Sequence, residues 1–75
     1  MSAYTNLMNA IHAVEAIKAL APELRDPLQS QLAVSNAIAA CSAARQERQQ
    51  GCDEQQAAVW NTTFNYLERM ISNAL

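Results

Sequence analysis

Charge, rings and turn residues are all scarce in this chain. Lys18 is the only lysine, His12 the only histidine and Gly51 the only glycine among 75 residues. The four arginines, Arg25, Arg45, Arg48 and Arg69, are scattered, and the formal net charge is −2. The nearest thing to a basic cluster is Ala44-Arg45-Gln46-Glu47-Arg48, where Glu47 interrupts the pair. A nucleic-acid binder concentrates cations on one face, so no nucleic-acid partner is expected and a helical DNA-binding protein is the weakest of the readings open to the sequence.

One histidine also limits chemistry. Glu15 lies one turn from His12, but di-metal bundles need several inward carboxylates, and Thr5, Asn9 and Ala19 fill the rest of that face. Cys41 and Cys52 do not combine with His12 in a zinc spacing. Nor do they suit an intramolecular disulfide. Cys52 sits in a turn, while Cys41 lies about 12 Å back along the preceding helix, and a bridge needs Cα atoms within about 7 Å. Cys41 reads as a small core residue and Cys52 as exposed, ahead of a helix N-terminus. Ser30, Ser35, Ser42 and Ser72 have no obvious base, and no glycine-rich loop could cradle a phosphate. No catalytic residue, metal or cofactor is therefore expected, and the chain is read as not an enzyme.

No apolar run is long enough to cross a bilayer, and Met1-Ser2-Ala3-Tyr4 lacks the basic start and apolar segment of a signal peptide. The expected location is the cytoplasm (the host's, if the gene is viral), with no membrane partner and both thiols reduced.

What the chain does have is helical periodicity. Ala57, Trp60, Phe64, Leu67, Ile71 and Ala74 follow a 3-4-3-4-3 spacing, an unbroken heptad seam opposite Asn61, Asn65, Glu68 and Ser72. The only Trp and Phe lie on it, so the core should be built against this helix. Helix one carries a matching seam, Tyr4, Leu7, Ile11, Val14 and Lys18, with a second stripe of Ala10, Ala13, Ile17, Leu20 and Leu24 beside it. Pro22 stops that helix, and Pro22 to Arg25 allows a single turn. Asp26-Pro27-Leu28-Gln29 and Asp53-Glu54-Gln55-Gln56 are helix starts with an aspartate cap and a glutamine at the third helical position. Helix two divides its apolar residues into Leu28, Leu32, Ala39 and Ala43 on one side, and Val34, Ile38 and Cys41, flanked by Ala37 and Ala44, on the other. Its polar end, Arg45 to Gln50, is expected to project past the core, and Gly51 falls at the C′ position.

The expected fold is all-α: one domain over 1–75, a small antiparallel three-helix bundle with helices at about 3–20, 27–50 and 54–74. Much of its 51 % hydrophobic content is alanine, and so small a core often gains from a partner. On helix three, Val59, Thr63, Tyr66 and Met70 recur at 4, 3, 4 to one side of the seam. They either face the second neighbouring helix or stand exposed for another chain. Tyr4 and Met8, with Ile17 and Leu20 of the surplus stripe, extend the same candidate interface. The expected role is a non-enzymatic protein–protein interaction module, a homodimer through its surplus faces. It would be a regulator or inhibitor of the phage, mobile-element or anti-activator kind that occupies another protein's surface. A chaperone or assembly adaptor holding an amphipathic client helix is the alternative.

Overall fold

The computed structural model describes residues 2–75, with Met1 outside the described residues. Helix α1 spans Ala3–Lys18, α2 Pro27–Gln49 and α3 Glu54–Ser72, with one 3-10 turn at Pro22–Leu24. Each helix begins on a side-chain oxygen. Ser2 accepts from the Thr5 N–H, Asp26 from Leu28 at 2.9 Å, and Asp53 from Gln56 at 2.8 Å. Each of these satisfies one N–H that the first helical turn would leave without a partner. Among the described residues neither Gln29 nor Gln56 returns a bond from its side chain, so only the aspartate half of each capping box forms.

Helix α1 stops two residues short of the expected end, and Arg25 explains the stop. Its guanidinium donates to the Lys18 carbonyl at 2.8 Å and, through Nε, to the Leu20 carbonyl at 3.1 Å. These are two carbonyls that Pro22 prevents further helix from using. Gly51 ends the second link with φ at +75°, the left-handed region, and a Cβ there would meet nothing within 4 Å. A substitution therefore meets backbone strain alone. Gly51→Ala is expected to cost about 1 kcal/mol, and Gly51→Asn less, because asparagine tolerates this region better. Urea midpoints measure both; no shift for alanine would mean the turn does not hold that conformation.

Helices α1 and α3 each pack along α2 and barely approach one another. Ala3 meets Glu47 at one end of the α1–α2 pair, and Arg45 and Gln49 meet Asn65 and Asn61 across the α2–α3 pair. Both pairs are therefore antiparallel. The fold is an open V of three helices with α2 at its apex, measuring 46 × 24 × 16 Å. Leu7 and Val14, then Ala37, Cys41 and Ala44, then Phe64 and Ile71 make the buried core, and all come from the inward faces of the V. The small α2 residues let its backbone come close to both neighbours.

This arrangement reverses part of the stripe assignment. The α3 seam packs inward as its spacing implies, with Phe64 and Ile71 buried and Ala57, Trp60 and Leu67 half-buried. On α2 it is the flanking pair Ala37 and Ala44 that joins Cys41 inside, while Leu28, Leu32, Ala39 and Ala43 lie on the exposed back of the V. On the second stripe of α1, Ala10 and Ile17 are half-buried, but Ala13, Leu20 and Leu24 are exposed. Both neighbours pack on the one side of α2 that carries Ala37, Cys41 and Ala44, so its second stripe has no neighbour to meet.

The end of α2 does not project past the core. Arg45 donates to Asn65 at 2.8 Å and pairs with Glu68 at 3.5 Å; Gln49 donates to Asn61. Glu47 accepts from the Ala3 N–H at 2.9 Å. The polar face of α3 thus serves as a hydrogen-bonding flank against α2. Each bond contributes about 1 kcal/mol at most in such exposed positions, so they fix register more than they stabilise.

Candidate interaction surfaces

The open side of the V is a cleft between α1 and α3. Tyr4, Leu7, Met8 and Ile11 of α1 face Trp60, Thr63, Phe64 and Leu67 of α3 across a hollow of about 410 Å³. The cleft continues toward the other end, where Ile11, Glu15 and Lys18 face Leu67, Met70, Ile71 and Ala74. Its Tyr4 end is closed by Arg48, whose guanidinium carbon lies 5.3 Å from the Tyr4 ring centre and 5.4 Å from that of Trp60. One α2 side chain thereby joins the rims of the two outer helices. Each cation–ring contact is worth about 0.5–1 kcal/mol at such an exposed place.

Beside the cleft, the outer strip of α3 stands in solvent. Val59 is 62 % exposed, Tyr66 63 % and Met70 53 %, and Thr63 is exposed as well. Val59 and Tyr66 therefore face no second helix, while Thr63 and Met70 edge the cleft toward α1 without being covered by it. The outer pair has none to face, because α1 sits across α2 and not against α3's far side. Of the remaining candidates, Tyr4 of α1 and Leu20 just beyond it are exposed, and Met8 and Ile17 half-buried. Tyr4 and Met8 fall on the cleft with Thr63 and Met70. Ile17 and Leu20 do not line it, so the eight candidate residues do not form one surface.

A third apolar surface went unforeseen. Leu24, Leu28 and Leu32, expected in stripes that meet a neighbour, join the candidate interface residue Leu20 in standing exposed around the α1–α2 corner. Their regular spacing of four is visible in the sequence, but it spans Pro22 and Pro27 and so belongs to no single helix.

Residues with chemical potential are kept apart. Cys41 is fully buried, with its thiol donating to the Phe64 carbonyl at 3.7 Å. Burial pushes its pKa up, the Glu68 carboxylate adds to this, and Arg45 opposes it. A protonated, enclosed thiol is a poor nucleophile. Cys52 is half-exposed and also a free thiol. His12 is exposed on the outer face of α1. Among the described residues no three His, Cys, Asp or Glu side chains gather where a metal could bind. An open hollow at the other end, lined by Pro27, Ser30, Gln31, Val34, Ser35 and Leu75, contains no titratable side chain. Among the described residues no helix is long and apolar enough to cross a membrane.

Fold and surfaces together define a class: a small all-α module of three helices with an apolar cleft left open. No family model, curated protein or solved structure matches the chain.

Proposed function

We propose that this chain is a non-enzymatic protein–protein interaction module, a regulator or inhibitor that acts by occupying a helical surface of a partner protein. The observation that carries the reading is the α1–α3 cleft. Its walls are mainly apolar along the length from Tyr4 to Lys18, on the order of 21 Å at the helical rise, with Glu15 and Lys18 on the α1 rim at the far end. That length matches about four turns of an amphipathic helix laid apolar side down. Arg48 at the Tyr4 end has no carboxylate partner among the described residues. A glutamate or aspartate near one end of the incoming helix would meet that charge. The expected partner is thus another protein, with no nucleic acid, membrane or cofactor in the role.

The same cleft supports the second reading, an assembly adaptor that holds a client's helix. The two differ in what happens to the partner. Loss of partner activity on binding favours the regulator; a partner soluble only when co-expressed favours the adaptor.

A fluorescein-labelled helical peptide of four turns tests the cleft directly. It carries a leucine stripe and one terminal glutamate, and its control has the same residues with the stripe broken. Anisotropy should show binding of the first and not the second. Met8→Glu should weaken binding by tenfold or more, a loss of about 1.4 kcal/mol. Arg48→Ala should weaken the glutamate peptide more than a glutamine version. Equal binding of peptide and control, or no effect of Met8→Glu, overturns the cleft as the binding site.

A further inference from the structure

We infer that Val59, Thr63, Tyr66 and Met70 form the seam of a two-fold symmetric dimer, in which α3 packs antiparallel against α3 of a second copy. The inference rests on the reading of this chain as a protein-contacting module. It assigns the outer strip of α3 to self-association; Thr63 and Met70 also edge the cleft, so the two surfaces adjoin along that side.

Three observations point to a second copy as the occupant. The first is surface area. A folded monomer of 8.2 kDa is expected to expose about 4,500 Å². This chain exposes 5267 Å². The difference, roughly 700 Å², is close to the ~800 Å² that each partner buries in a standard interface. That excess is spread over the whole open V, the cleft included, and is the surface of a subunit.

The second is the order of side chains. The strip keeps a 4-3-4 alternation, the spacing of a helix–helix seam, on the side of α3 away from α2. An antiparallel two-fold through the middle of the strip sets Val59 against Met70 of the second copy and Thr63 against Tyr66. Each small side chain then meets a large one, and the same pairs repeat on the other side of the axis, as an isologous interface requires. The parallel alternative sets Tyr66 against Tyr66 and leaves a gap between the two Thr63 side chains.

The third is charge. Along the edge of the strip lie Gln55, Thr62, Arg69 and Asn73, so Arg69 is the one charged side chain there. Antiparallel packing separates the two copies of Arg69 along the axis, while parallel packing brings them together. Like charges placed side by side would oppose association.

Sedimentation equilibrium on the full chain, across micromolar concentrations, reads the mass. The expected result is a dimer of twice 8.2 kDa. Tyr66→Glu and Val59→Glu should each raise its dissociation constant at least 100-fold, about 2.7 kcal/mol. Both residues are exposed, so helical circular dichroism should stay unchanged. In a Cys52→Ser background, a mixture of Thr63→Cys and Tyr66→Cys chains should oxidise to a cross-linked pair more readily than either chain alone. A monomer at every concentration, a dimer indifferent to both glutamates, or Thr63→Cys cross-linking best with itself overturns the inference. Neither Val59 nor Tyr66 lines the cleft. Thr63 and Met70 do, so the peptide is read on the Tyr66→Glu chain, where no dimer covers that edge: binding there beside a monomeric parent chain sinks the dimer alone, and no binding there beside a dimeric parent chain sinks the cleft alone.

Discussion

Phe64→Ala is expected to leave most of the chain unfolded in dilute buffer. Phe64 is 2 % exposed and is the largest side chain that α3 places in the core. Its ring lies 5.9 Å from that of Trp60, and its carbonyl accepts the Cys41 thiol. Removing a buried phenylalanine costs about 3–5 kcal/mol through lost transfer free energy and the cavity left behind. At typical per-residue stability, 75 residues hold only about 4–11 kcal/mol in total. An open V has little surplus, and the wall of the cleft cannot collapse inward without dragging α3 across α2. Tyr66→Ala is the control on the same helix: at 63 % exposure it should shift monomer stability by no more than about 0.5 kcal/mol. Urea unfolding followed by circular dichroism, at a concentration where only monomer is present, measures both. Similar midpoints for the two variants would mean that α3 does not turn its Phe64 side toward α2.

The contrast between these residues marks what could be read in the sequence. The Trp60–Phe64–Leu67–Ile71 seam was legible because large apolar residues at 3-4 spacing stand out against asparagine and glutamate. The aspartate caps and Gly51 were legible because few residue types suit those backbone positions. What periodicity cannot supply is which of two apolar stripes meets a neighbour. Tyr66 and Leu28 sit in stripes as regular as those of Phe64 and Cys41, yet they face water. That outcome depends on how three helices are arranged, and an open V leaves outside what a closed triangle would cover. The polar end of α2 misled for a related reason. Arginine and glutamine there read as solvated, whereas Arg45, Arg48 and Gln49 hold α2 to α3 and close the cleft. Bonds between polar side chains of distant segments leave no periodic trace.

Helix α2 shows the limit most sharply, because alanine occurs on all of its faces and gives no direction. The structure separates those alanines. Ala37 is 0 % exposed and Ala44 1 %, whereas Ala39 and Ala43 lie on the outer back. Ala37→Leu is therefore expected to destabilise by about 1–3 kcal/mol, since the added atoms must push apart helices packed at close range. Ala39→Leu should be neutral within about 0.5 kcal/mol, because leucine is nearly as good a helix former as alanine and meets no neighbour there. The two variants change the same residue type to the same residue type, two positions apart in one helix. Composition and helix propensity cancel between them, and what remains is the direction each side chain takes from α2. Destabilisation by Ala37→Leu would also widen the angle of the V, so the cleft should lose affinity for a helical peptide even where the chain stays folded. If Ala39→Leu proves the more damaging of the pair, α2 is turned the other way, and both the cleft and the exposed strip of α3 lose the frame that positions them.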